Sequence, residues 1–238
     1  MQSLFTSPNS RHNYTRCDII YNESNNFSLI GGYAVDAYSS LPRYSVDCDL
    51  VIAKDSFHKF DDLLKQNEYL GKRTGEESSD HKVWQFQKFN AEKRVTVDLL
   101  IDNVKCRQTE AIWTYDEIRE TSSEKRVVAT TSPVQSIVAS REQLIAMKLH
   151  SGRGPDLFDV VMLMDSVNWE VVLPLADRGD SGKVLSQLIL DLEKISAETF
   201  MNELKTAYGA KAGKRDRKIK EATRGIKTLL GSMKERAR

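Results

Sequence analysis

Two aspartates, Asp47 and Asp49, stand one residue apart in Val46-Asp47-Cys48-Asp49-Leu50-Val51-Ile52. Successive residues of a strand point to opposite faces, so the two carboxylates share one face while Val46, Cys48, Leu50 and Ile52 share the other. Like charges side by side are costly unless a cation lies between them. Oxygen ligands presented in this way suit Mg²⁺, which takes one or two carboxylates and completes its shell with waters and substrate phosphates. Upstream, the short apolar strand Phe27-Ser28-Leu29-Ile30 runs into Gly31-Gly32 and a helix from about Tyr33 to Ser40. Glycines there let backbone N–H groups approach a phosphate, helped by the positive end of the helix. The combination describes a site for a nucleoside triphosphate and its metal. Holding two ions for an in-line displacement asks for a third carboxylate. The strand Val95-Thr96-Val97-Asp98-Leu99-Leu100-Ile101 offers one, because Val95, Val97, Leu99 and Ile101 form its apolar face and Asp98 stands opposite, in mid-strand. Asp102, near the strand end, is the other acid in reach.

A second group follows. Ser140 fits a helix N-cap with Gln143 as the third residue of a capping box, and the helix runs to about Gly152. Leu144, Ile145 and Leu149 form its apolar arc, and Lys148 falls inside that arc. A lysine there either takes a counter-charge, from a triphosphate or a carboxylate, or snorkels to the surface. Pro155 opens an almost wholly apolar helix to Met164. On it Asp156 and Asp159, three apart, lie on one side and are placed to salt-bridge Lys148 or Arg153, or to touch a nucleotide base or sugar. Asp156 also suits a helix start through the dipole alone.

The pattern Leu29-Ile30-Gly31-Gly32-Tyr33-Ala34-Val35, then Arg43-Tyr44-Ser45-Val46-Asp47-Cys48-Asp49-Leu50-Val51, then Asp98, resembles the nucleotidyltransferase superfamily whose fold is that of DNA polymerase beta. Within it the chain is most similar to the AbiEii-like branch, toxins of certain toxin–antitoxin and abortive-infection systems. That closer resemblance rests on Glu142-Gln143-Leu144-Ile145-Ala146-Met147-Lys148-Leu149-His150-Ser151-Gly152-Arg153 and Asp156-Leu157-Phe158-Asp159, and the whole covers roughly residues 27–165. In that branch a Lys followed by an Arg and an Asp-x-x-Asp completes the site. Many members place Ser or Thr directly after the glycines, where a hydroxyl bonds a phosphate; this chain has Tyr33. Phosphate contact then falls to backbone amides of Gly31 and Gly32, to Arg43 or to Ser45, and Arg43 is equally placed to pair with Asp47. The resemblance implies metal ions held by Asp47, Asp49 and Asp98, with Asp98 as general base and Lys148 on the phosphates.

These residues need a scaffold. The helix Ser56 to Gln66 (Phe57, Phe60, Leu63, Leu64 apolar), the strands Val83-Trp84-Gln85-Phe86 and 94–101, and a polar loop over 71–82 complete a part in which strands and helices mix. After residue 140 the sequence reads as helices alone, including stretches over 182–208 and 214–234. The expected fold class is α+β, a nucleotidyltransferase-type mixed sheet flanked by helices over residues 1–139, followed by a helical C-terminal bundle over 140–238 that completes the site. Its 238 residues, 40% hydrophobic and 29% charged, suffice for a sizeable core. No run of 18 apolar residues marks a membrane span, and Met1-Gln2-Ser3-Leu4-Phe5-Thr6-Ser7-Pro8 lacks the pattern of a secretory signal. The cysteines, Cys17, Cys48 and Cys106, are odd in number and scattered, against a disulfide framework or a zinc site. A reduced, cytoplasmic setting is expected.

The formal charge of +1 conceals an asymmetry: residues 211–238 hold eleven Lys or Arg against three acids, +8, which leaves −7 for the first 210. In the tail, Ile219, Ala222, Ile226, Leu229, Leu230 and Met233 recur at near-heptad spacing. One reading is a solvated amphipathic helix; the other is a phosphate-tracking surface for a nucleic-acid acceptor. No aromatic residue interleaves the charges, so a folded RNA stem fits better than a single strand. Some members of the AbiEii-like branch transfer nucleotides to the 3′ end of tRNA, and the resemblance implies the same activity here, a growth-inhibiting toxin with an antitoxin partner. The alternatives are a nucleotidyltransferase that adenylylates a protein or modifies an aminoglycoside or lincosamide, and a catalytically weak RNA- or partner-binding module of the same fold.

Overall fold

The computed structural model describes residues 26–39, 45, 47–74, 82–90, 93–127, 134–208 and 215–236. Arg43, the N-terminal octapeptide and Cys17 lie outside them. The elements in chain order are β1 (Phe27–Ile30), α1 (Gly31–Asp36), β2 (Asp47–Ile52), α2 (Phe57–Gln66), β3 (Leu70–Thr74), β4 (Lys82–Asn90), β5 (Lys93–Ile101), β6 (Asn103–Lys105), β7 (Ile112–Thr114), α3 (Tyr115–Thr121), β8 (Ser123–Val127) and β9 (Val134–Val138). The rest is helical: α4 (Arg141–Ser151), α5 (Gly154–Met162), α6 (Trp169–Ala176), α7 (Ser181–Ser196), α8 (Phe200–Tyr208) and α9 (Arg215–Arg236). The fold is α+β, a mixed sheet flanked by helices with a helical C-terminal part. No helix of the described residues is long and apolar enough to cross a membrane.

The chain forms two compact units. The first comprises residues 1–37, 44–103 and 115–139. Its sheet has seven strands in the order β3-β4-β5-β2-β1-β9-β8, with β2 parallel to β5, β1 parallel to β9 and the other neighbours antiparallel. Alternation assigns the two faces. Leu29, Cys48, Leu50, Phe86, Val97 and Leu99 are each at most 1% exposed and form the apolar face. Helix α2 lies against it through Phe60, edge-on to Phe27 at 6.2 Å, and Phe57, 5.1 Å from Trp84. Each such fully buried side chain contributes roughly 1.5–3 kcal/mol. The opposite face carries Asp47, Asp49, Thr96 and Asp98.

The second unit comprises 38–43, 104–114 and 140–238. Its insert, 104–114, is a small hairpin built on β6 and β7 and held by α4. The His150 ring, fully enclosed, donates from Nε2 to the Ala176 carbonyl at 2.9 Å, so Nδ1 accepts from the Thr109 hydroxyl at 2.6 Å. Trp113 packs edge-on to that ring at 5.0 Å and donates to the Leu175 carbonyl. Burial pushes the His150 pKa down to about 4, and the neutral tautomer is the one these bonds require.

Four local expectations are corrected. Residues 71–74, read as loop, belong to the edge strand β3, whose partner β4 satisfies its backbone through the pairs Gly71↔Phe86 to Thr74↔Val83; 75–81 lie outside the described residues. The helix after the glycines begins at Gly31 itself and ends at Asp36. The stretch 182–208 is two helices, broken where Ala197 turns extended (φ −68°, ψ 141°). At α4 only half of the capping box forms: Ser140 Oγ accepts from the Gln143 N–H at 3.2 Å, while the buried Gln143 carboxamide has no hydrogen-bond partner.

Candidate functional site

In the first unit, register does the positioning. Parallel pairing of β2 with β5 sets Asp49 opposite Asp98 and Asp47 opposite Thr96. Directly opposed residues share a face, about 4.8 Å apart across the strands, so two carboxylates are neighbours. Antiparallel pairing of β4 with β5 extends this row to Gln85, opposite Asp98. Gln85 hydrogen-bonds the Asp98 carboxyl. The other oxygen, Asp98 Oδ1, is buried with no hydrogen-bond partner. Burial is the main cause that raises the Asp98 pKa above the usual aspartate value; the Gln85 hydrogen bond opposes it, the Asp47 charge adds to it and Arg94 opposes it. Asp47 is differently engaged, with its Oδ1 taking the hydroxyl of Thr96.

Gly31 explains how Asp49 fits. Its φ is +69°, a conformation L side chains rarely adopt, and a Cβ there would stand 2.0 Å from Asp49 Oδ2. The space opened by this glycine is filled by the Asp49 carboxylate. Gly32 is its neighbour in the first turn of α1. Tyr33, where a Ser or Thr hydroxyl is the commoner residue of the resembled pattern, is 2% exposed and donates its hydroxyl to the Ser45 carbonyl at 3.2 Å. Ser45 Oγ in turn donates to the Asp47 carbonyl at 3.2 Å. Both hydroxyls therefore brace the segment that leads into β2. Asp102, the other acid of the β5 region, is a turn residue: with φ +64° it accepts the Lys54 N–H on Oδ1 at 2.7 Å.

In the second unit the other candidates converge on one another. Lys148 Nζ lies 2.7 Å from Asp156 Oδ1 and 2.8 Å from Asp159 Oδ2. Asp156 Oδ2 also accepts from Ser151 Oγ and from Arg153 Nε, at 2.7 and 2.6 Å. Asp159 Oδ1 accepts from the Tyr208 hydroxyl at 2.7 Å. Burial opposes the charge on Lys148, yet the two carboxylates hold its pKa above the ordinary lysine value. Burial likewise opposes ionisation of Asp156, but Lys148, Arg153 and Ser151 bring its pKa down to about 2. Of the partners open to Lys148, Asp156 and Asp159, the ones present are each other. Gln85, Thr96, Ser151 and Tyr208 were not among the expected residues. Strand alternation could have found Gln85 and Thr96, but nothing local links Tyr208 to Asp159.

Among the described residues no three His, Cys, Asp or Glu side chains are gathered as a ready-made metal cluster. The neighbouring carboxylates of Asp49 and Asp98, one with an orphaned buried oxygen, still fit Mg²⁺, whose sites commonly hold only one or two protein carboxylates.

No protein-family model matches the sequence, and no curated protein matches it. Among solved structures it is similar to JHP933 from Helicobacter pylori, at 13% identity over 99% of this chain and 97% of that one, with a TM-score of 0.48. It is similar to a candidate nucleotidyltransferase from H. pylori at 14% identity, over 96% and 98% of the two chains, with a TM-score of 0.49. It is also similar to ANT(2")-Ia, solved with adenylyl-2"-tobramycin, at 15% identity over 95% and 96%, with a TM-score of 0.36. The residues of the site are drawn from this chain alone.

Proposed function

We propose that the protein transfers a nucleotidyl group from a nucleoside triphosphate to a hydroxyl of an RNA acceptor, such as the 3′ end of tRNA, as a growth-inhibiting toxin. The observation that carries this reading is the Asp49–Asp98 pair: two like charges held side by side by strand register, with one Asp98 oxygen buried and unpartnered. The orphaned Asp98 oxygen costs free energy that a bound cation would recover.

Asp49 and Asp98 would hold Mg²⁺, with Asp47 beside them for a second ion; bound Mg²⁺ neutralises the triphosphate and the pyrophosphate leaving group. Asp98 Oδ1 takes the proton of the acceptor hydroxyl as its oxygen bonds to the α-phosphorus and the bond from that phosphorus to the β-phosphate bridge breaks. Burial raises its pKa above the usual aspartate value, which suits a proton acceptor. Gln85 fixes the orientation of that carboxyl, while Gly31 leaves room for Asp49. The backbone amides of Gly31 and Gly32 and the Ser45 hydroxyl are the candidates for contact with the triphosphate, with Arg43 as a further one.

The test incubates the protein with Mg²⁺ and each labelled nucleoside triphosphate, together with total RNA, total protein or an aminoglycoside panel. Label reaching RNA, and lost in Asp49→Ala, is expected. Label on protein or drug instead moves the acceptor to those classes, and label nowhere removes the enzymatic reading.

A further inference from the structure

Helix α9 sorts its cations into two kinds. Ala222, Ile226, Leu229, Leu230 and Met233 are buried, each at most 7% exposed, on the side packed in the second unit. Trp169 lies so close to Gly225 that a Cβ there would stand 1.9 Å from its ring. Three basic residues are committed to that packing or to neighbours. Lys218 is buried and bonds Asp165 at 2.6 Å and the Met162 carbonyl at 3.1 Å. Arg236 pairs with Asp177 at 2.6 Å and Arg217 with Glu221 at 3.5 Å. Lys220, Arg224 and Lys227 differ: no carboxylate pairs with any of them among the described residues. Spaced at i, i+4 and i+7, they form one row on the face opposite the buried side, over about 10 Å of helix. Together with Ile219, Thr223 and Thr228 they line a shallow concavity of about 510 Å³.

We infer that this concave row binds the phosphodiester backbone of a folded nucleic acid, an RNA stem; the choice of RNA rests on the acceptor proposed above, while the surface itself rests on the helix. Phosphate oxygens are met by Lys and Arg and by Ser or Thr hydroxyls, and here unneutralised cations flank the Thr223 hydroxyl. With no aromatic side chain among the described residues of the lining, the surface offers no platform for stacked bases there, which favours backbone contact with a stem over a single strand. Three cations alone hold an anionic lipid surface only weakly, and the apolar face of α9 that would add insertion is already buried. An acidic protein would need aromatic or aliphatic anchors, of which the concavity has one, Ile219.

The test titrates a labelled RNA stem–loop with the full chain across a KCl series, reading fluorescence anisotropy. Removing three phosphate contacts should lower the slope of log K against log salt by between about two and three, and lower affinity at 0.1 M salt on the order of a hundredfold. This is expected of the combined Lys220→Gln, Arg224→Gln, Lys227→Gln variant, while Lys227→Gln alone lowers the slope by about one and Lys105→Gln leaves it unchanged. Unaltered circular dichroism and melting temperature confirm that the exposed changes leave the fold intact. An unchanged slope and affinity in the triple variant overturns the inference. So does a triple variant that keeps RNA but loses phosphatidylserine vesicles or a polyglutamate peptide bound by the wild type. Asp49→Asn separates the two proposals, since it should bind RNA as the wild type does. RNA held through α9 with no nucleotidyl transfer sinks the enzymatic reading alone; transfer to RNA undiminished in the triple variant sinks the surface alone.

Discussion

The two units each bring aspartates together, and they treat them in opposite ways. Asp156 and Asp159 are enclosed with Lys148, Arg153, Ser151 and Tyr208, so that every one of their four oxygens has a partner. Asp49 and Asp98 face each other across two strands, and Asp98 Oδ1 has none. The electrostatics follow: Asp156 is held down at about 2 while Asp98 is raised. Spacing alone does not distinguish the two groups. What distinguishes them is that Lys148 and Arg153 reach the Asp156 carboxylate directly, while Asp98 keeps one buried oxygen without a hydrogen bond.

The largest effect expected from this contrast is on activity. Asp98→Asn should lower labelled-nucleotide transfer by roughly 10²–10⁴-fold, the range for loss of a general base, without lowering the urea midpoint. A midpoint that falls as far as the activity would make Asp98 a structural residue. Next comes the converse. Lys148→Met leaves Asp156 and Asp159 buried without their cation and should cost about 3–5 kcal/mol of unfolding free energy. Adding Asp156→Asn and Asp159→Asn should restore part of that loss. A stable Lys148→Met protein with impaired transfer would instead assign Lys148 to the phosphates. The stability that Asp156 contributes is present above its unfolded pKa of 3.8 and should disappear as pH falls toward 2.

Asp191 sharpens the comparison because it crosses it. It belongs to the second unit, yet its Oδ2 is buried without a partner, and burial pushes its pKa up to about 7, with a Gln187 hydrogen bond and Lys194 opposing. The folded protein therefore binds a proton here that the unfolded chain releases near pH 4, and stability should fall as pH rises from about 4 to 7. Asp191→Asn should add on the order of 4 kcal/mol at pH 8 and little at pH 4. A flat difference across that range would show that Asp191 ionises freely. The smallest effect is on the melting temperature. At ten times its dissociation constant, Mg²⁺ should stabilise the wild type by about 1.4 kcal/mol, or about 3–5 °C, and the Asp49→Asn, Asp98→Asn double variant not at all. An equal shift in both would place the ion elsewhere.

The sequence made some of this visible and hid the rest for identifiable reasons. Alternation alone placed Asp47, Asp49 and Asp98 on polar strand faces, since Cys48, Leu50, Val97 and Leu99 left them no other side. It could not say that β2 and β5 are neighbours in parallel, and that pairing is what sets Asp49 opposite Asp98 and Asp47 opposite Thr96. The helical wheel put Lys148 inside an apolar arc, and the Asp-x-x-Asp spacing supplied its partners. Tyr208 joins Asp159 from 49 residues away, a distance no local pattern spans. Strand β3 was hidden by its composition, because Leu-Gly-Lys-Arg-Thr has little apolar content and takes its order from edge pairing with β4. In the tail, periodicity predicted Ala222, Ile226, Leu229, Leu230 and Met233 as the buried row of α9. It wrongly added Ile219, which is only half-buried, and did not show that Lys218 lies on the buried side, tied to Asp165.

The hairpin at 104–114 has a consequence for how the molecule is made. Its residues belong with α4 and the later helices, although the chain enters it from β5 and leaves it into α3. Thr109 and Trp113 meet the His150 ring, and the Thr109 carbonyl and Ala111 crowd the position where Gly179 would carry a Cβ. A ribosome that has released residues 1–139 has therefore made a piece that still lacks these partners, with a large indole in need of cover. Closing that loop must wait for synthesis to pass Gly179, so long-range closure should delay folding of the second unit. Fragments divided at a single peptide bond between 139 and 140 should be prone to aggregation, and co-expression of the two pieces should rescue what neither achieves alone.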